Sequence, residues 1–284
     1  MSRAETQDRV EGVGGARLTF RAREHAAPRG RVLLVHGLGE HSGRLSHVAA
    51  SVFDRGFDAY ALDLRGHGLS DGRRGHARSL DQLLGDIDRF RCRTTRAMGS
   101  GPTFLLGHSL GGLIVGRYVQ EYSFPGLSGA ILVAPFLRLA MRVPAWKTGV
   151  GGFADRWLPA LTLDSGLSEE DLYREETERR AHASDPLVHR RISARLWGEM
   201  RRGAERLAAR VDQVRLPLLF QLPGEDRIVD SEWTRRVALR LGERAEVHRY
   251  GEAYHDLYHD PDAKRAMADL GRWLEALAAP AQGE

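Results

Sequence analysis

Short apolar, β-branched runs alternate along the chain with stretches whose apolar positions recur every three or four residues. The runs at 31–37 (RVLLVHG), 58–66 (DAYALDLRG) and 103–109 (TFLLGHS) read as short buried strands. The stretches between them, RLSHVAASVFDRG and LDQLLGDIDRFRCRTTRAMG, have helical spacing and end in glycine. The rhythm continues with a helix at 111–122, strands GAILVAP and LPLLFQL (216–222), a helix from Ser231, strand AEVHRY and a last helix at 261–278. Such alternation predicts an α/β fold, a mostly parallel sheet flanked by helices, and VEGVGGARLTFRARE predicts an antiparallel hairpin ahead of it. Between residues 137 and 205 the pattern gives helical pieces and no strand. The expected division is a core of 1–136 and 206–284, with 137–205 a helical cap inserted after the sixth strand.

Composition adds little to this picture. The 284 residues carry a formal charge of +4, but acidic residues are interspersed with the arginines and no basic run reaches five, so nucleic acid is not an expected partner. All but two of the Lys and Arg residues are Arg, the exceptions being Lys147 and Lys264, which reads as a composition bias. Cys92 is the only cysteine, so no disulfide can form within the chain, and a reducing compartment fits. The opening MSRAETQDRVEG lacks an apolar signal region and no uncharged apolar run reaches 18 residues, which makes the cytoplasm the expected location.

The chemistry centres on GHSLGG at 107–112. The pattern G-x-S-x-G is weak alone, but here it joins a predicted strand to a predicted helix, the setting of a nucleophile elbow. A strand turning directly into a helix forces Ser109 into a strained conformation, and side chains at Gly107 or Gly111 would collide with that turn. The turn also places the N–H of Leu110 at a helix N-terminus, where it can face an oxyanion together with the N–H of Leu38 after the first parallel strand.

A serine hydroxyl needs a base, and the base needs an orienting acid. Asp226 follows the strand at 216–222 and His255 follows AEVHRY, so both stand at C-terminal strand ends, where the loops of an open α/β sheet gather. Asp230 is the alternative acid, although it stands where the next helix starts and reads better as its cap. His259 is expected to open the last helix. His36 reads as a shaper of the oxyanion loop, and His67 and His76 as structural polar groups. The cluster HDLYHD could suit a divalent ion, but no third well-placed ligand accompanies it, so no metal is expected. The Gly-rich EGVGGAR precedes its strand and cannot be a phosphate loop, and no organic cofactor is expected.

Taken in order, HGLGEHSGR, DLRGHGLSDGRRGH, GHSLGG, LPGEDRIVD and YHDLYHD resemble the monoacylglycerol lipase and lysophospholipase branch of the α/β-hydrolase family over nearly the whole chain. The resemblance implies an α/β-hydrolase fold, a triad of Ser109, Asp226 and His255, and an oxyanion hole at Leu38 and Leu110. It also implies a polar substrate pocket at Glu40, Arg44 and His108, although Glu40 and Arg44 could equally form a structural ion pair. Leu45 and Leu110 depart from the Tyr and Met common in the family, and the acidic LSEEDLYREE in the cap is unlike it. The expected activity is hydrolysis of monoacylglycerols or similar single-chain acyl esters, with a lysophospholipase or general carboxylesterase or thioesterase as alternatives. A small-molecule sensor retaining the triad is the alternative of another class.

The cap bears on the substrate. Phe136, Leu137, Val143, Trp146, Val150, Phe153, Trp157, Leu158, Leu161 and Leu163 are expected to wall an acyl channel, with Gly151 and Gly152 as hinges. A lipid-like acyl ester is therefore the expected partner, with transient contact of the cap with membranes or micelles.

Overall fold

The computed structural model describes residues 5–95, 101–140 and 154–279. The expected hairpin forms as β1 (Thr6–Glu11) and β2 (Arg17–Arg23), paired antiparallel around Gly14 and Gly15. The apolar runs become β3 (Arg31–Val35), β4 (Asp58–Leu62), β5 (Thr103–His108), β6 (Leu127–Val133), β9 (Leu218–Pro223) and β10 (Ala245–Tyr250). They join in one eight-stranded sheet of order β1-β2-β4-β3-β5-β6-β9-β10, parallel from β4 to β10.

Every residue of β3, β4 and β5 is buried, as expected of a sheet covered on both faces. Side chains alternate between the covers. Leu33, Val35, Leu105 and Leu132 pack under helices α2 (Leu80–Thr95), α3 (Leu110–Glu121) and α6 (Ala194–Ala209). Val32, Leu34, Phe104, Leu106 and Ile131 pack under α1 (Ser46–Phe53) and α8 (Ala263–Ala278). Helix α7 (Ser231–Leu239) covers β9 and β10 through Val237 and Ala238, on the same face as α2 and α3.

Three details differ from expectation. The stretch expected to form a cap holds short helices α4 (Glu169–Leu172) and α5 (Glu176–Ser184), but it also holds strands β7 (Thr162–Asp164) and β8 (Arg191–Ser193), paired antiparallel. At three residues each, they are too short to leave a period-two pattern. The last helix begins at Ala263, because His259 closes a 3-10 turn, Leu257–His259, and Asp262 stands at the helix cap. Helix α6 runs as one piece across the expected core boundary at 205/206. Among the described residues, no helix is long and apolar enough to cross a membrane.

Trp273 of α8 is 6% exposed and meets the Phe104 ring edge-on at 5.8 Å, while Gly129 leaves room for its ring. Replacing Trp273 with Ala opens a void that the rigid sheet cannot close. Urea unfolding is expected to show a loss of about 3–5 kcal/mol with an unchanged slope.

Candidate active site

Between β5 and α3, Ser109 takes φ 52 and ψ −113, a region that residues with side chains seldom occupy. The surroundings hold it there. Its N–H donates to Val133 O, and its carbonyl accepts from Leu113 and Phe136 N–H, all at 3.0 Å. A Cβ on Gly107 would lie 2.2 Å from Gly111 O, and one on Gly111 would lie 2.2 Å from Val35 O. Glycine is thus required because the turn is pressed against the neighbouring strand as well as against itself.

Three loops meet at this point. His255 Nε2 lies 2.9 Å from Ser109 Oγ, and His255 Nδ1 lies 2.8 Å from Asp226 Oδ2. The side chains of His255 and Asp226 are 2% and 1% exposed, so water competes little for these bonds. Asp226 can only accept, which puts the imidazole proton on Nδ1 and leaves Nε2 to accept the serine proton. The other carboxylate oxygen of Asp226 accepts from Ile228 and Val229 N–H at 2.9 Å, which fixes its plane. Asp230 caps α7, accepting from Trp233 N–H at 2.8 Å, and does not face His255. Leu110 supplies the first N–H of α3, and Leu38 lies in the loop after β3.

Glu40, Arg44 and His108 form a buried cluster behind this constellation. Glu40 Oε2 accepts from Gly37 N–H at 3.0 Å and faces His108 Nδ1 at 3.3 Å, while His108 Nε2 reaches His255 O at 3.3 Å. Arg44 lies 3.7 Å from Glu40, donates to Tyr173 Oη at 3.1 Å and lies 3.9 Å from Asp256. The polar atoms expected to meet substrate are therefore turned largely toward each other and toward protein groups. Asp256, considered above only as part of the HDLYHD cluster, and Tyr173 are the further members of this pocket. Asp256 adjoins His255 and also holds His259 at 3.0 Å, whereas Tyr173 arrives from the cap with no local signal.

His36 accepts Leu64 N–H on Nε2 and holds Gly37 O through Nδ1, so it shapes the loop that contains Leu38. His76 meets Ser193 of β8 at 2.8 Å and His67 meets Arg65 O at 3.0 Å. Among the described residues, no group of three or more His, Cys, Asp or Glu is arranged to hold a metal.

Residues 26–262 match the serine aminopeptidase S33 family. The chain belongs to that family. A monoacylglycerol lipase of Mycolicibacterium smegmatis is 30% identical over 281 residues, 96% of this chain and 98% of that protein. Phospholipase YtpA of Bacillus subtilis is 28% identical, over 84% of this chain and 94% of its own length. An uncharacterized abhydrolase domain-containing protein of Dictyostelium discoideum is 27% identical over 90% of this chain, which spans only 27% of that longer protein. The crystal structure of a monoacylglycerol lipase from Paleococcus ferrophilus superposes with a TM-score of 0.81 at 29% identity, covering 96% of this chain and 99% of that one. The fold of this serine hydrolase family member is the α/β-hydrolase fold, and its resemblance to the monoacylglycerol lipase and lysophospholipase branch holds.

In the cluster, burial opposes a charge on His108, but the hydrogen bond and charge of Glu40, with Asp256, outweigh it and hold the ring up at about 9. A histidine raised above its unfolded value of about 6.5 stabilises the fold fully below that value, and the contribution is lost as pH rises through about 9. Thermal melts from pH 6 to 10 are expected to show a loss of roughly 2–3 kcal/mol in the native protein and a flatter profile in His108→Gln.

Proposed function

We propose that the protein is a serine ester hydrolase that cleaves monoacylglycerols or similar single-chain acyl esters to a fatty acid and an alcohol. The observation that carries this reading is the hydrogen-bonded chain Ser109–His255–Asp226, at 2.9 and 2.8 Å, on a strained turn at the C-terminal edge of the sheet. The lengthwise similarity to a monoacylglycerol lipase supports the substrate class. Ser109 Oγ attacks the acyl carbonyl while its proton passes to His255 Nε2, and Asp226 stabilises the imidazolium. The N–H groups of Leu38 and Leu110 receive the oxyanion. Collapse returns the proton to the departing alcohol, and a water activated by His255 then releases the fatty acid from the acyl-enzyme. No cofactor enters these steps.

In this reading residues 137–205 form the cap over the core. Glu40, Arg44 and His108 bound the head-group end of the site and fix its loop. The channel differs from expectation. Phe136 and Leu137 are buried, and Phe136 packs on Trp197 at 5.9 Å, but Trp157, Leu158, Leu161 and Leu163 are 63%, 54%, 42% and 58% exposed. They precede and form β7, which pairs with β8 in a two-stranded sheet of its own. Val143, Trp146, Val150, Phe153 and the hinge glycines Gly151 and Gly152 lie outside the described residues. The exposed stretch at 157–163 suits transient contact with the micelle or membrane that holds the substrate. A cytoplasmic location goes with this reading, since the one cysteine leaves no disulfide within the chain.

Fatty-acid release from 1-lauroylglycerol, lauroyl lysophosphatidylcholine and a short p-nitrophenyl ester tests the assignment. The glyceride is expected to be preferred, and Ser109→Ala, folded as the native protein, to lose at least about 10³-fold in kcat. Retained turnover in that variant overturns the reading. Preference for the lysolipid gives a phospholipase, a second reading favoured by the similarity to Phospholipase YtpA.

Replacing Trp157 and Leu158 by Ser is expected to reduce co-sedimentation with monoacylglycerol-containing vesicles several-fold. The kcat on a soluble ester stays within about two-fold, because neither residue touches the reacting atoms.

A further inference from the structure

The cap segment 185–191 lies across the loop that follows β3 and grips it from two sides. His189 N–H donates to Gly39 O at 2.9 Å. Gly39 has φ +83, and a Cβ there would lie 2.2 Å from His189 O, so the cap backbone approaches as closely as a glycine permits. Two residues further on, His41 Nε2 meets Asp185 Oδ2 at 2.9 Å, and its Nδ1 accepts Gly43 N–H.

The second grip runs through rings. The His189 ring donates from Nε2 to Gly66 O at 3.1 Å and lies 4.7 Å from the His67 ring, which lies 5.3 Å from the His36 ring. His36 Nδ1 holds Gly37 O at 2.7 Å. That carbonyl belongs to the same rigid peptide plane as the N–H of Leu38, so whatever orients one orients the other. Burial lowers the proton affinity of all three rings, that of His189 to about 4, so at neutral pH the column is uncharged and packs without mutual repulsion.

We propose that His189 and Asp185 of the cap are positioning residues for the oxyanion site, holding the Leu38 peptide in place so that closure of the cap and formation of the oxyanion hole are one event. The proposal rests on the hydrolase reading, in which the Leu38 N–H receives the oxyanion. Neither residue touches substrate in it. Their effect falls on the transition state, where the N–H must meet the developing charge, and not on binding of the neutral ester.

The test uses the full chain carrying His189→Ala with Asp185→Asn, and each change alone. The double variant is expected to lose about ten-fold in kcat on p-nitrophenyl butyrate, with KM changed less than two-fold. Its affinity for a trifluoromethyl ketone, whose tetrahedral adduct carries the oxyanion, is expected to weaken by the same factor. His189→Gln, whose amide N–H can reach Gly66 O, is expected to recover part of both losses. Unchanged kcat and ketone affinity in a variant with native circular dichroism overturns the proposal, as does an effect confined to KM. Should the double variant fail to fold, Asp185→Asn and His189→Gln decide by the same two readouts. Ser109→Ala separates the readings: turnover retained there sinks the hydrolase assignment, whereas an inert Ser109→Ala beside indifferent His189 and Asp185 variants sinks only this one.

Discussion

The backbone of Ser109, at φ 52 with a side chain attached, is the constraint from which the rest of the site follows. Such a conformation costs on the order of 1–3 kcal/mol and persists only where the surroundings over-determine it. Here β5, α3 and the carbonyl of Val35 enclose the turn so closely that Gly107 and Gly111 have no room for a methyl group. The burial of β3, β5 and β6 between two helical layers keeps the enclosing strands from yielding. The strain lifts Oγ out of the sheet edge and sets Leu110 as the first residue of a helix.

Around that fixed point the loops after β9 and β10 need to deliver only one group each. Asp226 spends one oxygen on Ile228 and Val229 and the other on His255, so its orientation is fixed by its own loop before the histidine arrives. His255 is held from behind through its carbonyl by His108, which Glu40 keeps in place. The ion cluster therefore joins the loop after β3 to the loop after β10, the segments that carry the proposed oxyanion donor and the proposed base.

The region 137–205, proposed as the cap, has two unlike surfaces. Its inner side joins apolar packing of Leu172, Leu196 and Met200 to specific polar contacts: Tyr173 on Arg44, Asp185 on His41, His189 on Gly39 and Ser193 on Gly75, the last two through backbone hydrogen bonds of 2.9 and 2.8 Å. Its outer side presents Trp157, Leu158, Leu161 and Leu163 to solvent.

The sequence by itself determined the α/β-hydrolase fold, the strand succession and the loops from which Ser109, Asp226 and His255 come, because these depend on local periodicity and on glycines whose need is set by their own turn. It also separated Asp226 from Asp230, since a residue at a helix start has a capping role of its own. Only the tertiary structure decided that Tyr173, Asp185 and His189 meet the loop after β3, contacts that span 129 to 150 residues and leave no periodic trace. It alone showed that Trp157, Leu158, Leu161 and Leu163 are largely exposed, for the burial of an apolar residue in a short segment leaves no periodic trace. What is written in neighbouring residues was legible; what arises when distant segments fold onto one another had to be seen.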